Sequence, residues 1–132
     1  MQRLYQPFLR ALLLGAAALT SASLAHADNF ASVAYDARKD QLVVTMNYRG
    51  TNPNHVFTLQ WGLCMDHPDG GSHDIAVEVL DSQWDDPARQ PFTITTRFDL
   101  TDMNCRPAAL TLRTAPRFYT RVQVPEKSAP PP

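Results

Sequence analysis

Glycine is scarce in this chain of 132 residues, with five against eleven prolines. That scarcity excludes a collagen-like repeat and a glycine-rich linker protein. Cysteine is scarcer still, two in all and no CxxC pair, which excludes a disulfide-dense miniature scaffold and a thioredoxin-type redox motif. The longest unbroken apolar run, ALLLGAAAL at residues 11–19, falls well short of the ~20 residues that cross a bilayer. An excess of one charge is also lacking. Twelve Lys and Arg stand against thirteen Asp and Glu, a net charge of −1, where a dedicated nucleic-acid binder is strongly basic. Glutamate occurs only as Glu78 and Glu126. GxSxG, HExxH, GxGxxG and the phosphate-binding loop are all missing. These absences point away from an enzyme.

A hydrophobic fraction of 44% is ordinary for a globular protein and excludes wholesale disorder. The beginning of the chain is organised as an export signal. Arg3 and Arg10 precede the apolar run, and Ala25-His26-Ala27 follows it with small residues where a signal peptidase reads. The expectation is a bacterial signal peptide at 1–27, no membrane anchor after its removal, and a periplasmic or secreted protein. Residues 28–124 then form one domain, and 125–132 (PEKSAPPP) read as a proline-rich disordered tail. In an oxidising compartment the even pair Cys64 and Cys105 reads as one disulfide. Closing a loop of about 40 residues stabilises by on the order of 4 kcal/mol in the chain-entropy treatment.

Apolar residues recur with period two. Leu42, Val44, Met46 and Tyr48 share one face of a strand, as do Phe57, Leu59, Trp61 and Leu63, and Phe92, Ile94, Phe98 and Leu100. Weaker alternation covers 30–35, 75–80, 109–114 and 118–124. Turn residues cluster at 37–40, 49–54, 66–72, 85–90 and 101–107. About seven short strands at this spacing predict an all-β fold, an antiparallel two-sheet sandwich that is loosely immunoglobulin-like. A small barrel is the other architecture the pattern allows. Trp61 lies on the apolar phase and is expected in the core. Cys64, three residues on, falls on the opposite face of a regular strand. Either Gly62 makes a bulge that re-aims it, or the bridge ties the sandwich end to loop 101–107; the second arrangement is preferred.

Three constellations are candidates for function. Residues 66–86 hold seven acidic side chains and no Lys or Arg. At their start Asp66, His67, Asp69, His73 and Asp74 surround a Gly-Gly turn, a set of oxygen donors suited to Ca²⁺ though without EF-hand spacing. With His55, Met46, Met65 and Met103 added, the donors suit Cu. The plainer reading of the loop is a polar hairpin turn. Trp84, flanked by polar residues, could anchor a partner or close the sandwich end. Arg97, Arg113 and Arg121 sit on the wet phase of their strands and could meet an anionic partner. Charge is also segregated. Residues 28–86 carry three basic and ten acidic groups, net −7, while 87–132 carry seven and three, net +4. The alternative role of the arginines is therefore cross-strand pairing with the acidic half. The function expected is non-catalytic: a module binding an unknown protein or small ligand, monomeric or dimerised through an edge strand. The second expectation is a metal-binding protein using loop 66–74.

Overall fold

A computed structural model describes residues 27–114 and 118–127. Within them lie eight strands and no helix: β1 (Ala27–Asp36), β2 (Gln41–Gly50), β3 (Phe57–Trp61), β4 (Met65–Asp66), β5 (His73–Asp81), β6 (Gln90–Asp99), β7 (Ala108–Thr114) and β8 (Phe118–Val124). Most of the expected signal peptide, 1–26, and the tail residues 128–132 lie outside the described residues. Pro125, Glu126 and Lys127 are described and have no regular structure.

The strands form two sheets, as alternation with one dry face requires. One has the order β1-β2-β6 and the other β3-β5-β7-β8, with β4 continuing the line of β3 against β5. Every pair is antiparallel except β5 with β7. That parallel pair departs from the antiparallel expectation. After β5 the chain crosses to the other sheet, runs along it as β6, and crosses back as β7. Two reversals bring it home in its first direction. The sheets approach each other where β1 runs beside β8.

The core fills the space between the sheets. Leu42, Val44, Met46 and Tyr48 of β2 face Ile75, Val77 and Val79 of β5 and Leu110 and Leu112 of β7, all buried. Each such aliphatic side chain contributes about 1.5–3 kcal/mol when taken from water. Intervening residues on β2 are half-buried and those on β6 are exposed, in step with the period-two pattern.

Two ties hold the loop between β6 and β7. Cys105 is bonded to Cys64, with the Cα atoms 6.1 Å apart. Next to it Arg106, 7% exposed, forks onto Asp40 at 2.8 and 2.9 Å and donates to the carbonyls of Met103 and Leu100. Asp40 ends the β1–β2 turn with φ at 52°. Aspartate is one of the few non-glycine residues that enter that region readily, and its carboxylate is held by the Arg106 fork and by the Tyr35 hydroxyl, at 2.8 Å. The guanidinium holds the Asp40 carboxyl below its ordinary range.

Both arrangements weighed for Cys64 occur together. Trp61 opposes Val77 while Met65 opposes Asp74, so residues 62–64 face only two residues of β5, a bulge. Gly62 permits it, because a Cβ there would lie 2.6 Å from the Ala76 carbonyl oxygen. The bridge then joins the bulged edge to loop 101–107.

Candidate functional site

Opposite the β1–β8 side, the sandwich is open. There the edges of β3 and β6 flank a groove of about 440 Å³, walled by Phe57, Leu59 and Trp61 on one side and by Phe98 with Thr96 and the oppositely charged Arg97 and Asp99 on the other. Which backbone groups face it follows from the ladders. The Leu100 N–H donates to the Asp40 carbonyl at 2.9 Å, one rung beyond the Gln41–Asp99 pair. Hydrogen-bonded rungs of an antiparallel pair recur every second residue, so the even-numbered residues of β6 address β2. The N–H and C=O groups of Thr93, Thr95 and Arg97 point away from it. On β3 the bonds Gly62 N–H to Ala76 C=O and Ser82 N–H to Val56 C=O, 2.8 and 2.9 Å, continue the register of Phe57 with Asp81. There the even residues address β5, and the backbones of Phe57, Leu59 and Trp61 point outward. Neither set has a backbone partner among the described residues.

Trp61 is 42% exposed, a correction to its expected place in the core. Its phase is the apolar one, but β3 is an edge strand that runs out from under the opposing sheet. Burial along that phase falls from Phe57 through Leu59 to Trp61, and Leu63 and Met65 beyond the bulge are exposed too.

A buried polar cluster closes the end where the 50–56 and 82–89 loops meet. His55 is 1% exposed. Its Nδ1 lies 2.7 Å from Asp81 and its Nε2 2.8 Å from Asp86. Carboxylates only accept, so both ring nitrogens donate and the ring is an imidazolium. Burial pulls its pKa down, yet the hydrogen bonds and charges of the two aspartates outweigh that and raise it above the ordinary value. The ring stacks on Tyr48 with centroids 4.5 Å apart. Asp86 also accepts from the Thr51 hydroxyl and N–H at 2.5 and 2.6 Å, which holds its carboxyl below the usual range. Both nitrogens being engaged, His55 is not available as a copper ligand beside His67 and His73. Met46, weighed for the same role, is buried in the core.

The acidic loop divides into two groups, one around His67 and one around His73. His67 Nδ1 is 3.2 Å from Asp69 and its Nε2 3.9 Å from Asp74, while His73 Nδ1 is 3.1 Å from Asp66. Among the described residues the group of three metal-type donors within 4.8 Å of one another is Cys64, His73 and Cys105. Its two sulfurs are bonded to each other, which leaves no thiolate to ligate. Asp74 is also 3.6 Å from the Arg121 guanidinium.

Each candidate arginine has an acidic neighbour: Arg97 with Asp36 at 3.5 Å, Arg113 with Glu78 at 3.6 Å, and Arg121 with Asp74. Arg97 also stands on the groove wall. Trp84 is 60% exposed, in the turn bonded to Val56 through Ser82.

Compared with known proteins, the chain matches no family, no curated protein and no solved structure. The open groove and the His55 cluster are both features that sequence reasoning missed. For His55 the signal was partial: Thr51 and Asp86 lie in the turn clusters 49–54 and 85–90 that the strand order brings to one end, while His55 and Asp81 lie outside both. For the groove it required knowing which strands are edges.

Proposed function

We propose that the protein is an exported, non-catalytic interaction module that accepts an extended segment of a protein partner as an added strand in the groove between β3 and β6. One observation carries this reading: two edges with outward-directed backbone donors and acceptors flank a mainly apolar groove. An extended peptide laid there gains main-chain hydrogen bonds from the edges and buries alternate side chains against Phe57, Trp61 and Phe98. Export fits the Cys64–Cys105 bridge, since such bonds persist in oxidising compartments. No described helix is long and apolar enough to cross a membrane. Arg97 at the groove wall offers an outward charge to the partner, and Trp84 and Val56, exposed beside the start of β3, lengthen the contact surface.

The test is selection of peptides from a random display library on sparsely immobilised, oxidised protein. Enriched peptides should alternate apolar and polar residues and lose binding to Trp61→Ala, whose melting temperature should stay near that of the parent because the side chain is exposed. Peptides that bind Trp61→Ala as well as the parent would sink this reading.

A further inference from the structure

The edges of the sandwich are protected unequally. β1 carries two register shifts and runs beside β8, and β3 gives way after five residues to the Gly62 bulge. Bulges, short length, covering strands, prolines and charges are devices that keep sheet edges from pairing. Among the described residues β6 has no bulge and no covering strand, and its proline and charges, Pro91, Arg97 and Asp99, lie toward its ends. Its register against β2 is unbroken from Gln90 to Asp99, and Phe, Ile and Thr dominate its middle.

We propose that in the free protein this edge is closed by a second copy of the chain. Two β6 strands pair antiparallel about a two-fold axis and join two three-stranded sheets into one of six. This rests on the reading of the open side as a strand acceptor, and a partner strand would compete with the second copy for it. The outward-directed backbone groups belong to odd-numbered residues, so odd residues must oppose odd ones, which keeps inward side chains on the inward face. The odd residues of β6 are centred on Thr95. With Thr95 opposite its own copy, Thr93 meets Arg97 on the wet face. On the inner face Phe92 meets Phe98 and Ile94 meets Thr96. Aromatic pairs thus lie over the groove and no like charges oppose each other, the pairing that stabilises neighbouring strands.

The area is sufficient. Ten residues of strand extend about 33 Å and the two sheets lie about 10 Å apart, so with flanking side chains the contact hides on the order of 1,000 Å² in total, the level at which interfaces become specific.

The experiment is sedimentation velocity on the oxidised protein, with Thr95→Pro, Thr95→Lys and Thr95→Glu. The Thr95 N–H makes no bond to β2, so proline there removes an intermolecular bond and spares the ladder. Lysine or glutamate keeps the backbone intact and sets like charges face to face across the axis. The parent should be dimeric, each variant monomeric, and an equal mixture of the Lys and Glu variants dimeric again. A parent that stays monomeric at its highest soluble concentration overturns the dimer, as does a dimer that survives Thr95→Pro and Thr95→Lys. Trp61-dependent peptide binding to isolated immobilised copies is read separately, so the strand-acceptor reading stands or falls apart from this result.

Discussion

A single imidazole joins two loops at one end of the sandwich. With both nitrogens donating, His55 bridges Asp81 and Asp86, and Asp86 in turn holds Thr51. The fit is close: a Cβ on Gly50 would lie 2.7 Å from the Asp86 carboxylate and 2.9 Å from His55 Nε2. Because the folded-state pKa of His55 is raised, its contribution is complete below the ordinary imidazole value and is lost as pH rises through the raised one. A neutral ring has one N–H for two acceptors, and the aspartates are then left underpaired. The depressed carboxyls of Asp86 and Asp40 act in the opposite sense: their contribution is lost as pH falls through their lowered values. Thermal melting across roughly pH 5 to 8 should therefore show a decline on the alkaline side that His55→Ala lacks. Below the ordinary imidazole value the variant should be less stable by about 3 kcal/mol, the cost of leaving buried charge uncompensated, and the gap should narrow as pH rises through the raised value. An identical alkaline decline in parent and variant would remove His55 from this role.

At the level of elements, the outcome depends on which strands have neighbours on both sides. Alternation in 41–48 and 92–100 located β2 and β6 with their faces correctly assigned, because one face of each meets the core. It could not show that β5 and β7 run parallel, since period two is the same in either direction and β6 between them belongs to the other sheet. Nor could it place Trp61. Periodicity names a face, and burial also requires an opposing sheet, which β3 leaves as it approaches the bulge. β4 is two residues long and has no period to read. The bulge itself is anchored covalently, and this element carries its own prediction. Replacing Cys64 and Cys105 together by serine opens a closed loop with a sequence separation of 41 residues, at a cost on the order of 4 kcal/mol. Denaturant unfolding measures it, and a change below about 1 kcal/mol would mean that Arg106 alone fixes loop 101–107.

Across the whole molecule, the acidic first part of the domain folds against its basic second part. Asp36 meets Arg97, Asp40 meets Arg106, Asp74 meets Arg121 and Glu78 meets Arg113; each pair joins one part to the other, so the segregation seen along the sequence becomes local neutrality in the fold. The pairs are not equal in weight. The guanidiniums of Arg97, Arg113 and Arg121 are each about half exposed or more, and such pairs contribute about 0–1 kcal/mol, less at high salt. Arg106 is buried, forked onto Asp40, and bonded to two carbonyls besides. Replacing Arg97, Arg113 and Arg121 together by glutamine should shift the melting temperature little, while Arg106→Gln alone should cost about 3–5 kcal/mol by leaving Asp40 underpaired. The same arrangement bears on cations. Asp74 already has Arg121 and His67 beside it, His67 also holds Asp69, and Asp66 with His73 forms a second group, so a divalent ion would have to displace a guanidinium and gather ligands from both groups. Melting curves of the oxidised protein with and without Ca²⁺ or Cu²⁺ should therefore superimpose. A ligand at 100 times its dissociation constant adds about 2.7 kcal/mol, a shift too large to miss in a domain of this size. If one ion produces it, and Arg121→Gln enlarges it, the loop is a metal site that the guanidinium holds closed.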